Sequence, residues 1–261
     1  MLNSEAIAEN RNNITCNTNI PEVKLRKDGK PKETHTNRVC GVSSEVKGFT
    51  TAAEISAIMN VLNNDIIEGK KVLNYQSQKY INARRNKLLF VLGLNLGIRA
   101  SDLRELKFSF FFEKGSIGYT FKESYTFQPR KTKKTGKFVT LYFNEAVKKV
   151  VLDYINDFPV ENLDEYLFKT RQSSAMSTAQ MWNIVNDVSE RAGIKKNIGT
   201  HTFRKTWGYW CYHSAKDRTD ALVMLQQCFS HTSTLVTLRY IGILDSDKKE
   251  MYNSICLGLD D

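Results

Sequence analysis

The chain has 261 residues, 41% of them hydrophobic and 25% charged, which is enough apolar material for a sizeable core. Thirty-eight Lys and Arg against 28 Asp and Glu leave a formal net charge of +10, a balance that favours polyanionic partners because each neutralised phosphate releases condensed counterions. Five scattered cysteines (Cys16, Cys40, Cys211, Cys228, Cys256) argue against a disulfide framework, no apolar run is long enough for a transmembrane helix, and the polar start lacks a signal-peptide core, so a soluble, cytoplasmic protein with no membrane partner is expected.

Residues 1–47 are Asn-rich and poor in large apolar side chains, and carry the basic run KLRKDGKPK. Such a stretch buries too little surface to offset chain entropy, which predicts a flexible polar and basic N-terminal segment ahead of a domain over 48–261. Thr50 or Thr51 can cap a helix whose inner face holds Ile55, Ile58, Met59 and Leu62. A second helix is predicted from about residue 75 to Leu96, with Leu88, Leu89 and Leu92 on one period and Gly97 in the left-handed position that ends it. Between Lys107 and Phe143 the texture turns β-rich (FSFFF, IGYTF, FVTLYF), predicting a small antiparallel sheet whose last turn is Lys134-Thr135-Gly136. Asn144 caps a helix through Phe158, and Ser177 or Thr178 starts another that ends near Gly193. Further helices are predicted over 203–213, 220–229, 235–240 and 247–257. The fold class is therefore mainly α with a small antiparallel β-sheet (α+β).

Four segments carry candidate chemistry. In LGLNLGIRASDLRELK, Arg99 stands two residues beyond Gly97 and projects from a turn. Asp102 can orient it through a charged hydrogen bond, although a surface ion pair in a helix corner reads the same way. Residues 129–138 (PRKTKKTGKF) hold Arg130, Lys131, Lys133, Lys134 and Lys137 and no acid; this is a finger suited to a phosphate backbone, or a solvated hairpin tip. In GTHTFRKTWGYW, His201 and Arg204 share one helical face, pairing a proton carrier with a permanently charged fork. In CFSHTSTLVTLRYIGI, His231 precedes Tyr240 by nine residues, a spacing that one continuous helix would put on opposite faces. Thr232, Ser233 and Thr234 are capping residues, so His231 is predicted in a loop and Tyr240 on the helix that follows, unless Tyr240 is an ordinary core aromatic. Cys211, His213, Cys228 and His231 could in principle hold zinc. However, the first pair is spaced too closely and both cysteines lie on apolar helical stretches, so no metal site is assigned.

Taken in order, Arg in a G-x-R-x-S-D-L segment, Lys in KTG, H-x-x-R, and His nine residues before Tyr resemble the catalytic signature of the tyrosine recombinases, the phage-integrase family. The resemblance covers roughly residues 48–258 and implies a catalytic domain of the tyrosine recombinase/type IB topoisomerase-like kind. It implies that Arg99, Lys134, His201, Arg204, His231 and Tyr240 fill the six family positions, with Asp102 as supporting carboxylate. The implied enzyme is a site-specific DNA recombinase of integrase or resolvase type, working through a 3′-phosphotyrosyl intermediate without ATP, cofactor or divalent metal. Tyr240 would attack the phosphodiester and Arg99 and Arg204 would clamp its oxygens. Lys134 would protonate the leaving 5′ oxygen, His201 would accept or position the phenol proton, and His231 would hydrogen-bond the phosphate. Arg130, Lys131, Lys133 and Lys137 would contact double-stranded DNA. The resemblance also implies an oligomer, a tetramer on DNA, linked through the tail 241–261, though packing of that tail in its own chain stays equally open. Family members usually carry a separate core-binding domain ahead of the catalytic one; only 47 residues precede it here, as in a short form or a piece of a longer chain. A type IB topoisomerase is disfavoured by the nine-residue His–Tyr spacing and small size, and a catalytically silent DNA-binding regulator by the complete residue set.

Overall fold

The computed structural model describes residues 45–71, 77–115, 118–170, 174–243 and 251–255; residues 1–44 of the expected N-terminal segment lie outside that set. Eight helices carry the domain among the described residues: α1 (Ala52–Lys71), α2 (Gln78–Leu96), α3 (Ala100–Leu103), α4 (Glu145–Asp157), α5 (Thr178–Arg191), α6 (Thr202–Ser214), α7 (Arg218–Phe229) and α8 (Thr234–Ile241). Their starts follow the capping chemistry of the sequence. Thr51, Ser77, Asn144, Ser177, Asp217 and Ser233 each accept a backbone N–H of the first turn, and Gln180 completes a capping box with Ser177.

The centre of the core is α2, which packs against α1, α4 and α6. Its second half buries residues on most of its circumference (Leu88, Leu89, Phe90, Leu92, Gly93, Leu96), as a helix surrounded by others must. Phe90 meets Phe203 of α6 edge-on at 5.2 Å. Gly93 lets the two helices close, since a Cβ there would stand 2.4 Å from the Phe203 ring. Of the expected α1 face, Ile58 and Leu62 are buried and Ile55 and Met59 partly so, and Ile66 extends the stripe by one more turn.

The β region differs from expectation in two ways. It forms two separate antiparallel ribbons, β1 (Phe112–Lys114) with β2 (Tyr119–Phe121) and β3 (Ser124–Phe127) with β4 (Val139–Tyr142), in place of one sheet. The FSFFF run begins as a 3₁₀ turn over Phe108–Phe110, because the amides of Phe108 and Ser109 bond the carbonyls of Glu165 and Leu163 and dock the run on that loop. The predicted tight turn at Lys134-Thr135-Gly136 is a longer connection, a 3₁₀ helix over Arg130–Thr135 closed by left-handed Gly136. Its start is tied down: Asp102 Oδ1 accepts the Arg130 amide and Glu105 pairs with the Arg130 guanidinium.

Residues 45–47, expected in the flexible segment, are bound to the domain. The Lys47 amide donates to Asn197 O and its carbonyl accepts from Thr202 Oγ1. Of the tail helix expected over 247–257, residues 247–250, 256 and 257 lie outside the described set; residues 251–253 are helical, and Met251, Tyr252 and Ile255 are exposed.

Candidate active site

A cleft of about 920 Å³ opens where the α2–α3 corner, strand β4, α6 and the α7–α8 loop meet, and Arg99, Asp102, Lys137, Arg204 and His231 line it. Gly97 makes the corner. With φ +62 it ends α2, and two residues on Arg99 becomes the N-cap residue of α3, half-buried, its side chain without a hydrogen bond or ion pair among the described residues. A Cβ on Gly97 would stand 2.3 Å from the Trp207 indole. Gly97→Ala is therefore expected to lose about 2–4 kcal/mol of stability, from left-handed strain and overpacking together. Urea denaturation read by tryptophan fluorescence checks this, and an unchanged midpoint would contradict the close approach.

Arg204 rises from the first turn of α6 and is 6% exposed. Its guanidinium donates to Gly97 O at 2.6 Å and to Cys228 O at 3.2 Å, and lies over the Phe229 ring at 4.5 Å. Both carbonyls belong to helix C-termini, where intrahelical donors have run out. Burial and the neighbouring Arg99 push its pKa down to about 10, so it stays charged at neutral pH. Asp102 was expected to orient Arg99. Its buried carboxylate instead accepts the Arg130 amide, a donor at the start of the β3–β4 connection.

Beside the cleft, the Tyr240 hydroxyl lies 3.0 Å from His201 Nδ1. His201 is the N-cap residue of α6 and Tyr240 rides on α8. The Tyr240 ring packs edge-on against His231 at 5.0 Å and Phe229 at 5.2 Å. Partial burial, then the charges of Arg204, Arg99, Lys205 and Lys131, hold His201 below the ordinary imidazole value. Burial raises the Tyr240 phenol, opposed by Arg204 and Arg99. The pair is therefore a neutral phenol facing a neutral imidazole, which fits proton donation from oxygen to Nδ1. As predicted, His231 sits in the α7–α8 loop, after left-handed Ser230 and before the Ser233 cap. Its Nδ1 lies 3.1 Å from Thr237 Oγ1, and burial followed by Arg204 and Arg99 lowers its pKa. Thr237 Oγ1 also lies 3.3 Å from Ser233 O; when its proton goes there, Nδ1 donates to Thr237 and Nε2 faces away from that contact.

Five of the six expected residues thus converge: Arg99, Arg204 and His231 in the cleft, with His201 and Tyr240 at its edge. The sixth, Lys134, lies in the 3₁₀ connection with its side chain outside the described set, whereas Lys137 lines the cleft. Arg130, Lys131 and Lys133 are exposed in the same connection and do not line the cleft. Among the described residues no group of three or more His, Cys, Asp or Glu is placed to hold a metal ion, and burial pushes the Cys211 thiol up to about 11. Sequence reasoning missed Lys205, which stands over the Tyr240 ring; its place four residues after His201 was the available signal.

The profile of the phage integrase family matches residues 49–246. The probable integrase/recombinase YoeC of Bacillus subtilis (strain 168) is 35% identical over 170 residues, covering 65% of this chain and 83% of that protein. Among solved structures, XerA recombinase has a TM-score of 0.55 at 18% identity, covering 83% of this chain and 66% of its own. XerH recombinase, in a post-cleavage complex with a palindromic difH substrate, has a TM-score of 0.55 at 18% identity, covering 88% of this chain and 61% of its own. At that identity the likeness is one of fold, and this chain spans 66% and 61% of those two proteins. No helix among the described residues is long and apolar enough to cross a membrane.

Proposed function

The chain belongs to the phage integrase family, the tyrosine recombinases, and from that premise we propose that it is a site-specific DNA recombinase with Tyr240 as nucleophile. The observation that carries this reading is the 3.0 Å contact between the Tyr240 hydroxyl and His201 Nδ1 beside a cleft lined by two guanidiniums. The Tyr240 oxygen attacks a phosphodiester phosphorus and its proton passes to His201 Nδ1. The bond to the 5′ oxygen breaks, leaving DNA on Tyr240 through a 3′ phosphate. Arg99 and Arg204 carry the negative charge that grows on the non-bridging oxygens. Phosphate arriving in the cleft raises the proton affinity of His231, which then donates from Nε2. A lysine of the β3–β4 connection, Lys134 or the cleft-lining Lys137, protonates the leaving 5′ oxygen. Attack by a second 5′-hydroxyl reverses the steps and rejoins the strands, so the bond energy is kept throughout.

Double-stranded DNA is the partner, supported by the net charge of +10 and by the DNA complex in which XerH is seen. Residues 48–261 form the catalytic domain, and a tetramer assembles on DNA through the tail in the cytoplasm.

A duplex nicked close to the cleavage point tests the reading, since loss of the short fragment traps the intermediate. A DNA adduct on the peptide containing Tyr240 is expected; no adduct, or one on another residue, overturns the proposal. The pH dependence is a further prediction. His201 must be unprotonated to accept, and its pKa lies below the ordinary 6.5. With DNA well below saturation, where the free protein's titration governs, the trapping rate is expected to fall on the acid side with its midpoint below pH 6.5. A fall already complete above that value would remove His201 from the acceptor role.

A further inference from the structure

Lys205 stands four residues after His201, on the same side of α6. It is only 7% exposed, a depth at which an ammonium needs a partner. Its Nζ has two neighbours: Glu45 Oε1 at 2.5 Å and the Tyr240 ring, whose centroid is 5.2 Å away. Glu45 lies at the head of a short segment laid along α6. Phe49 N–H donates to Thr206 Oγ1 at 2.8 Å, and Trp210 Nε1 donates to Phe49 O at 3.0 Å. Gly48 is what lets this segment press on the helix, since a Cβ there would stand 2.9 Å from the Thr206 backbone nitrogen. The carboxylate is therefore delivered from a fixed backbone and not from a free strand.

A cation over a phenol ring is attracted to its negative face and restrains it. Lys205 also belongs to the set of cations around His201, the others being Arg204 on α6, Arg99 at the α2–α3 corner and Lys131 in the β3–β4 connection. One ammonium thus touches the ring of the donor and biases the charge state of the acceptor in the O–H···N contact. We propose that Lys205, held by Glu45, is a positioning residue for Tyr240, so that the segment by which the chain enters the domain controls how the nucleophile is presented. This rests on the reading of Tyr240 as nucleophile.

The test uses the full chain and the nicked duplex. Lys205→Met is expected to slow adduct formation about tenfold, the size of one partly desolvated cation–π contact, with affinity for intact duplex within about twofold of wild type. Removing a positive neighbour of His201 should also move the acid limb of the pH profile upward. Glu45→Gln leaves the ammonium unneutralised and should move that limb downward, and Lys205→Arg should restore the rate. Opposite shifts are the signature that a merely structural pair would not produce. Circular dichroism monitors folding; should Lys205→Met not fold, Glu45→Gln and Lys205→Arg carry the test. Wild-type rates and an unshifted limb in the folded variants, or shifts of the same sign, overturn the proposal while the Tyr240 adduct still forms. Loss of that adduct from wild type would instead sink the functional reading itself.

Discussion

Tyr240→Phe is expected to abolish covalent capture of nicked DNA, by at least about 10⁴-fold, while affinity for intact duplex stays within about twofold. The substitution removes one oxygen and little else. The ring keeps its packing against Phe229 and His231 and its place under Lys205. With the oxygen go its contacts to His201 and Arg204; both lie at the rim of the cleft, so together they contribute about 1–2 kcal/mol to stability. Misfolding therefore cannot account for a failure to capture DNA, and melting within a few degrees of wild type would establish this directly. Equal trapping by wild type and variant would remove Tyr240 from the nucleophile role. A fall in duplex affinity as large as the fall in capture would make the phenol a binding group.

The longer helices of this fold were legible in the sequence because they announce themselves locally, whereas the single turn of α3 was too short to show a period. The Ile58–Leu62 spacing, the Asn144 and Ser177 caps and the Gly97 stop are all short-range signals, and the capped elements begin and end where those signals stand. The β region was less legible because a run of aromatics such as FSFFF reads alike whether it pairs in a ladder or wraps a turn. Only the partner, here the carbonyls of Glu165 and Leu163, decides. The same limit applies to the site. The break between His231 and Tyr240 was visible in three successive capping residues, and the α8 start at Ser233 follows from it. By contrast, the transfer of Asp102 to the Arg130 amide spans 28 residues and the Glu45–Lys205 pair spans 160, distances at which no periodicity reports. The convergence of Arg99, Arg204, His201 and Tyr240 was accessible only through the ordered motif, because residues from two separate helices and a corner have no local reason to meet.

Arg204→Ala is expected to slow adduct formation by about 10³-fold or more, with duplex affinity falling less than tenfold. The difference follows from where the charge is and how it is held. Affinity draws on the whole +10 surface, including exposed Arg130, Lys131 and Lys133, and losing one cation among many weakens it modestly. Arg204, however, is fixed before DNA arrives: the carbonyls of Gly97 and Cys228 occupy two of its edges and Phe229 supports its plane. A guanidinium so held needs no reorganisation as charge grows on the phosphate, which is what separates stabilising a transition state from binding a substrate. Truncation also strips both helix-end carbonyls of their donor, costing about 1–3 kcal/mol of stability, so rates must be compared at a temperature where the variant is folded. Arg204→Lys sharpens the argument. It keeps the charge but brings all its donors from a single nitrogen, whereas Arg204 reaches the Gly97 and Cys228 carbonyls through two separate nitrogens of a rigid plane. It should therefore be nearly as slow as the alanine variant. Near-wild-type capture by Arg204→Lys would mean that charge alone suffices, and a parallel loss of capture and affinity in Arg204→Ala would make Arg204 a binding residue.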